Sequence, residues 1–406
     1  MKLCVKYRIS PNPQQEQLLR NLVFYATKLY NTDNYIRREQ WEKTGKIPSW
    51  YDQKKSLKTN HWYKLLPSQT AQAVIKNLQD NYKSWFGLRK TDKTARPPMF
   101  RKKERLSPMT FYQQFSIEGN KLTLGMSRKF KEEKGIDKLV FDLNKWREIN
   151  GKPKMCNIIF EGGKWMAHVV YEIPEKPLRD NPEIMSVDAG IINLVATNDT
   201  KGNATIYTGK QALSVQHYFN KETARVQSAT KFQHNKSSSR ALSRMHKKKS
   251  RQINQMIHTV SKEVIKEAEK NNVGTIVVGD IKNIRKEEDG SGKNIGKVNN
   301  QKLHSWSFAK LLTQIEYKAK LSGIRFVKVS ERDTGKTCSV CGIIKKSNRK
   351  HRGWYRCKCG NMMNADVNSA RNILKRYLHQ IGKTIEGSIG SVAEPLIWRC
   401  NNVIPS

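Results

Sequence analysis

Apolar residues recur at spacings of three and four in two segments near the N-terminus. Leu18 and Leu22 belong to a stripe that predicts a helix over residues 12–45. A cleaner stripe of aliphatic and aromatic residues predicts a second helix over residues 66–88. The stretch between these two helices is aromatic and basic. Residues 10–92 are therefore predicted to form a helical module.

After this module the pattern changes to the alternation that is typical of half-buried strands. Residues 115–124 predict a hairpin that turns at a Gly-Asn pair, and residues 157–171 predict another that turns at a Gly-Gly pair. Together with a first strand from Lys2 to Ile9, they predict a small β-barrel that the helical module interrupts.

The second half of the chain begins with three short strands and then alternates helices with strands. The order β-β-β-α-β-α-β-α matches the arrangement of ribonuclease H, so we predict an α+β multidomain protein with an RNase H-like domain in this half. The predicted elements are strands 184–188, 193–197 and 204–207, a long helical region over 211–271, strand 274–279, helix 305–322, strand 325–329 and helix 366–378.

The charge balance indicates a polyanionic partner. Among 406 residues there are 76 Lys or Arg and 35 Asp or Glu, a formal net charge of +41. Such an excess favours nucleic acid; a membrane surface is the alternative, although no run approaches about 18 apolar residues. The length predicts two or more domains. The first residues lack the apolar region of a signal peptide, so we expect a cytoplasmic protein.

Four of the seven cysteines are clustered near the C-terminus. Cys338 and Cys341 form one close pair, and Cys357 and Cys359 form a second. Two such pairs on tight turns can supply all four ligands of a structural zinc ion, and a reducing compartment favours metal binding over disulfides. The alternative is four ordinary buried cysteines. The basic residues between the pairs, Arg349 among them, are expected to face nucleic acid or solvent.

Two acidic residues lie where a metal-dependent nuclease of this fold would need them. Asp188 ends a predicted strand, and Asp366 opens the helix after the cysteines. Hydrolysis of a phosphodiester by two ions about 3.5–4 Å apart needs several carboxylates from separate elements, and Mg²⁺ prefers carboxylate oxygens and water. We therefore predict that both residues bind two Mg²⁺ ions; the alternative for Asp366 is a helix N-cap.

The middle carboxylate has two candidates. A Glu is expected at the end of strand 274–279, but the residue there is Gly279. Asp280 comes next, and strand alternation turns its side chain to the opposite face. Glu331 follows the neighbouring parallel strand, about 4.8 Å away, and could reach the ions across the space that Gly279 leaves. We favour Glu331, with Asp280 as the alternative; Glu331 could also be a solvated loop charge.

A one-sided basic run lies in the long helical region. Residues 221–251 contain ten Lys or Arg and one Glu. A run of this composition repels itself without a polyanion, so we predict contact with an RNA or heteroduplex backbone; the alternative is a solvated helical face. The residues predicted to make these contacts include Arg240, Arg244, Lys247, Lys248, Lys249 and Arg251.

Together these motifs resemble the TnpB family of transposon-encoded, RNA-guided DNA nucleases, which is related to the compact type V CRISPR effectors. Residues 187–191 are similar to the family's first RuvC motif, and residues 278–281 stand in the place of the second. The most specific likenesses are residues 330–342 and 364–373, which resemble the zinc knuckle and the third RuvC motif. The resemblance covers most of the chain.

The resemblance implies an RNase H-like (RuvC) nuclease domain with an inserted zinc ribbon, preceded by a wedge β-barrel with an inserted helical recognition lobe. It also implies a guide RNA from the transposon end, and a short duplex motif read beside the target, for which Tyr51, Gln72 and Lys76 are candidates. The implied boundaries are 1–9 and 93–178 for the wedge barrel, 10–92 for the recognition lobe, 183–335 and 363–380 for the RuvC domain, 336–362 for the zinc finger and 381–406 for the C-terminal tail.

The function that this resemblance implies is RNA-guided cleavage of target DNA, by a chain that is monomeric when bound to RNA. A subset of the family carries Gly-Asp at the second motif with a Glu matching Glu331, which supports a relocated ligand. The departure at Gly279 keeps open a nuclease-dead, RNA-guided DNA-binding repressor. A transposase that joins strands through its own carboxylates is a further alternative. A simple zinc-ribbon DNA binder would leave Asp188 and most of the barrel unexplained.

Overall fold

The computed structural model describes residues 1–144, 149–281, 294, 296–306, 308–351, 353–383 and 395–399. The chain divides into two compact units, Met1–Pro174 and Glu175–Ser406. Each unit combines helices with sheet, so the predicted α+β multidomain class is confirmed. Within the described residues, no helix is both long and apolar enough to cross a membrane. Most of the predicted tail lies outside the described residues.

The first unit contains two sheets and a group of helices. Strands β1, β7, β6 and β2 form a four-stranded sheet in that order, and β3, β4 and β5 form a three-stranded one. The predicted helices and both hairpins are confirmed, whereas β2, α5 and β5 were not predicted. The elements are β1 (Lys2–Ile9), α1 (Pro13–Thr44), α2 (Trp50–Ser56), α3 (His61–Lys64), α4 (Ser68–Arg89), β2 (Met109–Phe111), β3 (Phe115–Glu118), β4 (Lys121–Gly125), α5 (Arg128–Lys134), β5 (Lys138–Asp142), β6 (Lys152–Glu161) and β7 (Lys164–Glu172).

Helix α1 begins and ends at residues whose types favour helix caps. The Asn12 side chain accepts a hydrogen bond from the Gln15 amide in a capping box, and Gly45 ends the helix with φ +67°. Arg37 then links α1 to α4, because it forms a buried ion pair with Asp33 within α1 at 2.9 Å and donates to Gln79 of α4 at 2.6 Å. Burial raises the pKa of Asp33 to about 6, although Arg37 opposes this shift.

The second unit is built around one six-stranded sheet. The helical region predicted as continuous over 211–271 is two helices joined at Asn235, whose φ is +46°. The C-terminal strand β16 was not predicted. The elements are β8 (Glu183–Asp188), β9 (Asn193–Asp199), β10 (Ala204–Thr208), α6 (Lys210–His234), α7 (Arg240–Lys270), β11 (Val273–Asp280), α8 (Lys297–Ser305), α9 (Phe308–Leu321), β12 (Arg325–Ser330), β13 (Arg349–His351), β14 (Trp354–Arg356), β15 (Met362–Met363), α10 (Ala365–Gln380) and β16 (Leu396–Trp398).

The directions of the strands in this sheet bring the ends of several strands to one edge. The order is β12-β11-β8-β9-β10-β16. Strands β8, β11 and β12 are parallel, β9 is antiparallel to β8 and β10, and β16 is parallel to β10. Asp188, Gly279 and Ser330 therefore lie at the same edge as Asn193, which begins β9, and Thr208, which ends β10. We call this the carboxyl edge.

Alternation along the strands assigns each of these residues to one face of the sheet. Val187 and Val278 pack in the core that α7 and α9 cover. Val277 and Val329 pack with Ile373 of α10 on the opposite face. Since side chains two residues apart share a face, the side chains of residues 188 and 331 are directed to the α10 face. That of residue 280 is directed to the other face.

Candidate functional site

The structure brings three predicted carboxylate residues around one cavity at the carboxyl edge. Asp188, Glu331 and Asp366 all line a cavity of about 390 Å³, which we call the carboxylate pocket. Arg349 lines it as well. Asp280 is not among the described residues that line it, in keeping with its position on the opposite face of the sheet. The geometry therefore favours Glu331 over Asp280 as the middle carboxylate.

Asp366 lies in the first turn of α10, and its side chain is free of the capping role. The N-cap is Asn364, whose side-chain oxygen accepts from the Asp366 amide at 2.9 Å. The Asp366 carboxylate instead accepts one hydrogen bond from Arg349 Nη2 at 3.0 Å and one from Asn193 Nδ2 at 2.8 Å. The N-cap interpretation of Asp366 is therefore wrong, and its carboxylate is turned towards the pocket.

Glu331 occupies the space that the glycine leaves. A Cβ atom on residue 279 would lie 2.6 Å from Glu331 Oε2 and 3.1 Å from Glu331 Cβ. It would also lie 3.2 Å from Ile373 Cδ1 of α10. Glu331 can hold this position only because residue 279 carries no side chain. The sequence predicted this arrangement, in which Glu331 reaches across the space that Gly279 leaves.

The electrostatics of the pocket are those of an incompletely neutralised acidic cluster. Burial, then Asp366 and Glu331, raise the pKa of Asp188 to about 8, while Arg349 opposes this rise. Burial, then Asp280, also raise the pKa of Glu331. Both shifts mean that the ionised form of the carboxyl group is disfavoured, first by burial and then by neighbouring acidic side chains. A divalent cation would relieve the repulsion, and carboxylate oxygens are the ligands that Mg²⁺ prefers.

Arg349 is the pocket residue that sequence reasoning missed. It begins β13 between the two cysteine pairs, and its side chain is 35% exposed while Asp366 is 18% exposed. The sequence predicted that the basic residues of this loop face nucleic acid or solvent; Lys345, Lys346 and Lys350 are indeed exposed. Nothing in the local sequence distinguishes Arg349 from them, because its direction depends on how the cysteine segment docks.

The four clustered cysteines have the geometry of a metal site. Cys338 Sγ lies 3.6 Å from Cys359 Sγ, Cys341 Sγ lies 3.6 Å from Cys357 Sγ, and all four sulfurs lie within 4.8 Å of one another. Tetrahedral coordination with Zn–S bonds of about 2.3 Å requires sulfurs roughly 3.8 Å apart. Among the described residues, no other group of three or more His, Cys, Asp or Glu residues has its possible ligand atoms this close together. The cluster is therefore compatible with structural zinc.

Helix α10 holds the cysteine segment against the sheet. Asn368 accepts from the Ser339 amide at 3.0 Å and donates to the Thr337 carbonyl at 2.8 Å. Asn372 donates to the carbonyls of Thr334 and Thr337, each at 2.7 Å. The helix that presents Asp366 therefore also fixes the segment that presents Arg349.

The basic residues predicted on α7 separate into two groups. Arg240, Arg244, Lys247, Lys248 and Arg251 are exposed and available to a partner. Lys249 differs, because it is half-buried, donates to Asn220 Oδ1 of α6 at 2.7 Å and has a pKa lowered by burial. Its role in this structure is to join α6 to α7.

The residues predicted to read a flanking motif differ in how accessible their side chains are. Tyr51 is 73% exposed on α2. Gln72 donates to the Tyr63 hydroxyl at 3.4 Å, and Lys76 pairs with Asp80 at 3.1 Å. Lys76 remains exposed, so that pairing is weak. Tyr51 and Lys76 stay the more accessible candidates, and their predicted role is untested.

Family models match three parts of the chain. A model described as "Probable transposase" matches residues 168–285, one described as "Cas12f1-like, TNB domain" matches residues 308–373, and one described as "Helix-turn-helix domain" matches residues 1–46. The viral "TnpB-like protein ORF457" of Acidianus two-tailed virus is 27% identical over 95% of this chain and 89% of its own length. Over nearly its whole length the chain is therefore similar to TnpB-like proteins.

Two further comparisons agree with this similarity. The "Putative RNA-guided DNA endonuclease InsQ" of Escherichia coli (strain K12) is 26% identical over 91% of this chain and 90% of its own length. Among solved structures, the Cas12f1-sgRNA-target DNA complex contains a chain with a TM-score of 0.63 at 16% identity, covering 89% of this chain and 83% of that one. That likeness shows a shared fold. In this chain, the residues matched as helix-turn-helix form strand β1 and the single helix α1.

Replacing Asp188 with Asn is expected to stabilise the metal-free chain. Burial, then Asp366 and Glu331, raise the pKa of this carboxyl group from its usual value of 3.8 to about 8 in the folded chain. A raised folded pKa means that stability is present at low pH and is lost as the pH rises between these two values. In EDTA, the Tm of Asp188→Asn should therefore exceed that of the wild type by a margin that grows from about pH 4 to about pH 8, about 2–4 °C per kcal/mol.

The matched control is Asp180→Asn, the same chemical change at an exposed residue of the same unit. Its Tm should follow that of the wild type at every pH. A margin for Asp188→Asn that does not change with pH would show that the carboxyl group is not destabilised in the pocket.

Proposed function

We propose that this chain is an RNA-guided DNA endonuclease that hydrolyses phosphodiester bonds in the carboxylate pocket. The observation that carries the proposal is the meeting of three carboxylates from remote segments, Asp188, Glu331 and Asp366, around one cavity. Relatives across nearly the whole chain include a putative RNA-guided DNA endonuclease, and the fold is shared with an RNA-guided Cas12f1.

The topology of the second unit supports assigning it as an RNase H-like, RuvC-type nuclease domain. Numbered along the chain, its first five strands stand in the order 5-4-1-2-3, with the second antiparallel and helices on both faces. We assign residues 183–335 and 363–380 to this domain and 336–362 to a zinc finger inserted in it. We assign residues 1–9 and 93–178 to the wedge barrel and 10–92 to the recognition lobe.

The donor set of the pocket fits Mg²⁺ ions, because three carboxylates line it and because burial, then Asp366 and Glu331, raise the pKa of Asp188. When bound, Mg²⁺ supplies an activated water and stabilises negative charge on the reacting phosphate. Asp188, Glu331 and Asp366 are the residues that would hold these ions. Asn193 orients Asp366 through its 2.8 Å hydrogen bond, which holds the carboxylate towards the pocket.

Arg349 has two uses in this mechanism. Its guanidinium neutralises Asp366 in the metal-free chain at 3.0 Å, and so lowers the cost of crowding acidic groups. The same guanidinium lines the pocket, and guanidinium groups are well suited to pair with phosphate oxygens. The residue can thereby help to hold the scissile phosphate among the carboxylates.

Recognition of the target is assigned to nucleic acid rather than to the pocket. In guided systems base pairing reads the sequence, and the protein reads only a short flanking motif and the backbone. The net charge of +41 suits backbone contact, as do the exposed cations in the first part of α7, which are Arg240, Arg244, Lys247, Lys248 and Arg251. A nuclease-dead guided repressor would share these surfaces, so only cleavage separates it from the proposed enzyme.

The decisive experiment compares Glu331→Ala with Asp280→Ala. We expect the wild type with its guide RNA to cleave a matched plasmid in Mg²⁺, and Glu331→Ala to lower the rate by about 10²–10³-fold, as removal of one group that stabilises transition-state charge does. Asp280→Ala should retain most of the rate, since its side chain is directed away from the pocket.

The outcomes separate the alternatives. No cleavage by the wild type, with specific binding of matched DNA retained, would favour the repressor. Cleavage that survives Glu331→Ala but is lost in Asp280→Ala would move the middle ligand to Asp280. Specific cleavage by protein freed of RNA would contradict guidance, and strand joining without RNA would favour a transposase.

Gly279→Ala tests the space that Glu331 occupies. The added methyl group would meet Glu331 Oε2 at 2.6 Å, so the carboxylate must move away from the pocket. A displacement of this size can cost about 10²-fold in rate, which single-turnover cleavage would measure. The matched control is Gly87→Ala in α4, where an added Cβ meets no atom within 4 Å. An undiminished rate in Gly279→Ala would show that Glu331 does not need its position.

The zinc content of the protein should depend only on the four clustered cysteines. We expect about one zinc ion per wild-type chain and a large loss in Cys341→Ser, because a closed tetrahedral site needs all four ligands. Metal analysis of the purified full-length protein measures this directly. Cys4→Ser, which changes an exposed cysteine of the first unit, should retain its zinc. A zinc-replete Cys341→Ser protein would refute the assignment.

A further inference from the structure

A second cavity adjoins the carboxylate pocket. It measures about 420 Å³ and shares Asn193 with that pocket. The other polar residues on its wall include Lys210, Gln211, Asn364 and Arg399. We call it the cationic cavity, because among the described lining residues two carry positive charge and none carries negative charge.

Four chain segments converge on the cationic cavity at the carboxyl edge. Asn193 begins β9, Lys210 follows β10 at the start of α6, and Asn364 caps α10. Arg399 comes directly after β16, which pairs in parallel with β10 so that Trp398 faces Tyr207 in register. The rings of these two residues lie 5.4 Å apart. The C-terminal strand thus fixes the position of Arg399.

The two cations are available to an outside ligand. Both Lys210 and Arg399 are exposed, and in the described part of the chain neither pairs with a carboxylate. Two unpaired cations and side-chain amides on one cavity wall are suited to a phosphate group.

The asparagines connect this cavity to the reacting centre. Asn193 donates to Asp366, and Asn364 accepts from the Asp366 amide. Three strand spacings of about 4.8 Å separate β8, which carries Asp188, from β16. This distance of about 14 Å equals the rise of about four stacked nucleotides. A strand with one phosphate in the carboxylate pocket could therefore place another in the cationic cavity.

We propose that the cationic cavity binds a backbone phosphate of the DNA strand that is being cut, about four nucleotides from the reacting phosphate. Lys210 and Arg399 supply the charge, and β16 contributes to the nuclease site by holding Arg399 in place. The proposal rests on the proposed function, since its ligand is the strand that the carboxylate pocket hydrolyses.

The first arm measures cleavage of targets that carry a single neutral methylphosphonate at successive positions around the cut site. In the wild type, one such position about four nucleotides from the cut should slow cleavage roughly tenfold, on the scale of one lost charged hydrogen bond. The Lys210→Gln/Arg399→Gln variant should be slower on normal DNA and no longer sensitive at that position. Lys210→Arg/Arg399→Lys should behave as the wild type, which excludes a simple folding defect.

The second arm measures binding without cleavage. A fluorescent oligodeoxynucleotide binds the full-length protein–RNA complex in EDTA, and the salt dependence of Kd counts phosphate contacts. Losing two cations at the cavity should reduce the slope by about 1.4, at about 0.7 per contact for single strands. The matched control is Lys270→Gln/Arg325→Gln, two exposed cations at the amino ends of β11 and β12, at the opposite edge of the sheet.

These two arms separate the cavity from the nuclease. A wild type that cuts, together with a glutamine variant that matches the control in both arms, would overturn the cationic cavity and leave the proposed function intact. A wild type that cuts nothing would overturn the proposed function, and the binding slope alone would then decide whether the cavity holds a phosphate.

Discussion

The second unit depends on one constraint, the crowding of acidic side chains on the α10 face of its sheet. Asp188, Glu331 and Asp366 come from three separate elements and meet in a partly buried space where their charges repel. The folded chain tolerates this because the sheet and α10 are held by apolar packing of residues such as Val277 and Ile373, and because Arg349 supplies one positive charge. The repulsion that remains is what makes the pocket suitable for cations.

Helix α10 connects the carboxylate pocket with the cysteine cluster. Its first turn presents Asp366 to the carboxylate pocket, while Asn368 and Asn372 hold the cysteine segment through four hydrogen bonds. Arg349 lies between the two cysteine pairs and donates to Asp366. The docking of the cysteine segment on α10 therefore fixes the direction of Arg349.

The relocation of the glutamate follows from sheet geometry. Gly279 pairs in register with Val329, so Glu331 is two residues beyond the partner of Gly279 and shares its face. A carboxylate can therefore reach the same space from either of two adjacent parallel strands, provided that the other strand carries glycine there. The departure from the usual motif is consistent with an intact acidic cluster.

Much of this could be derived from the sequence, because it depends on local periodicity. Helix and strand periods predicted α1, α4, both hairpins and the order of the sheet elements, and the period of two placed Glu331 and Asp280 on opposite faces. The spacing of Cys338, Cys341, Cys357 and Cys359 was sufficient to predict that the four thiols converge. These features involve neighbours along the chain, whose geometry the backbone fixes.

The tertiary structure decided what depends on contacts between distant segments. Asn364 rather than Asp366 caps α10, Arg349 turns inwards, Lys249 joins α6 to α7, and β16 adds a parallel strand beside β10. For the three side chains, residues of similar type lie nearby in the sequence, and only the packing of remote segments determines which of them makes the contact. The reason is that the free energy of a buried polar contact depends on the partner it finds.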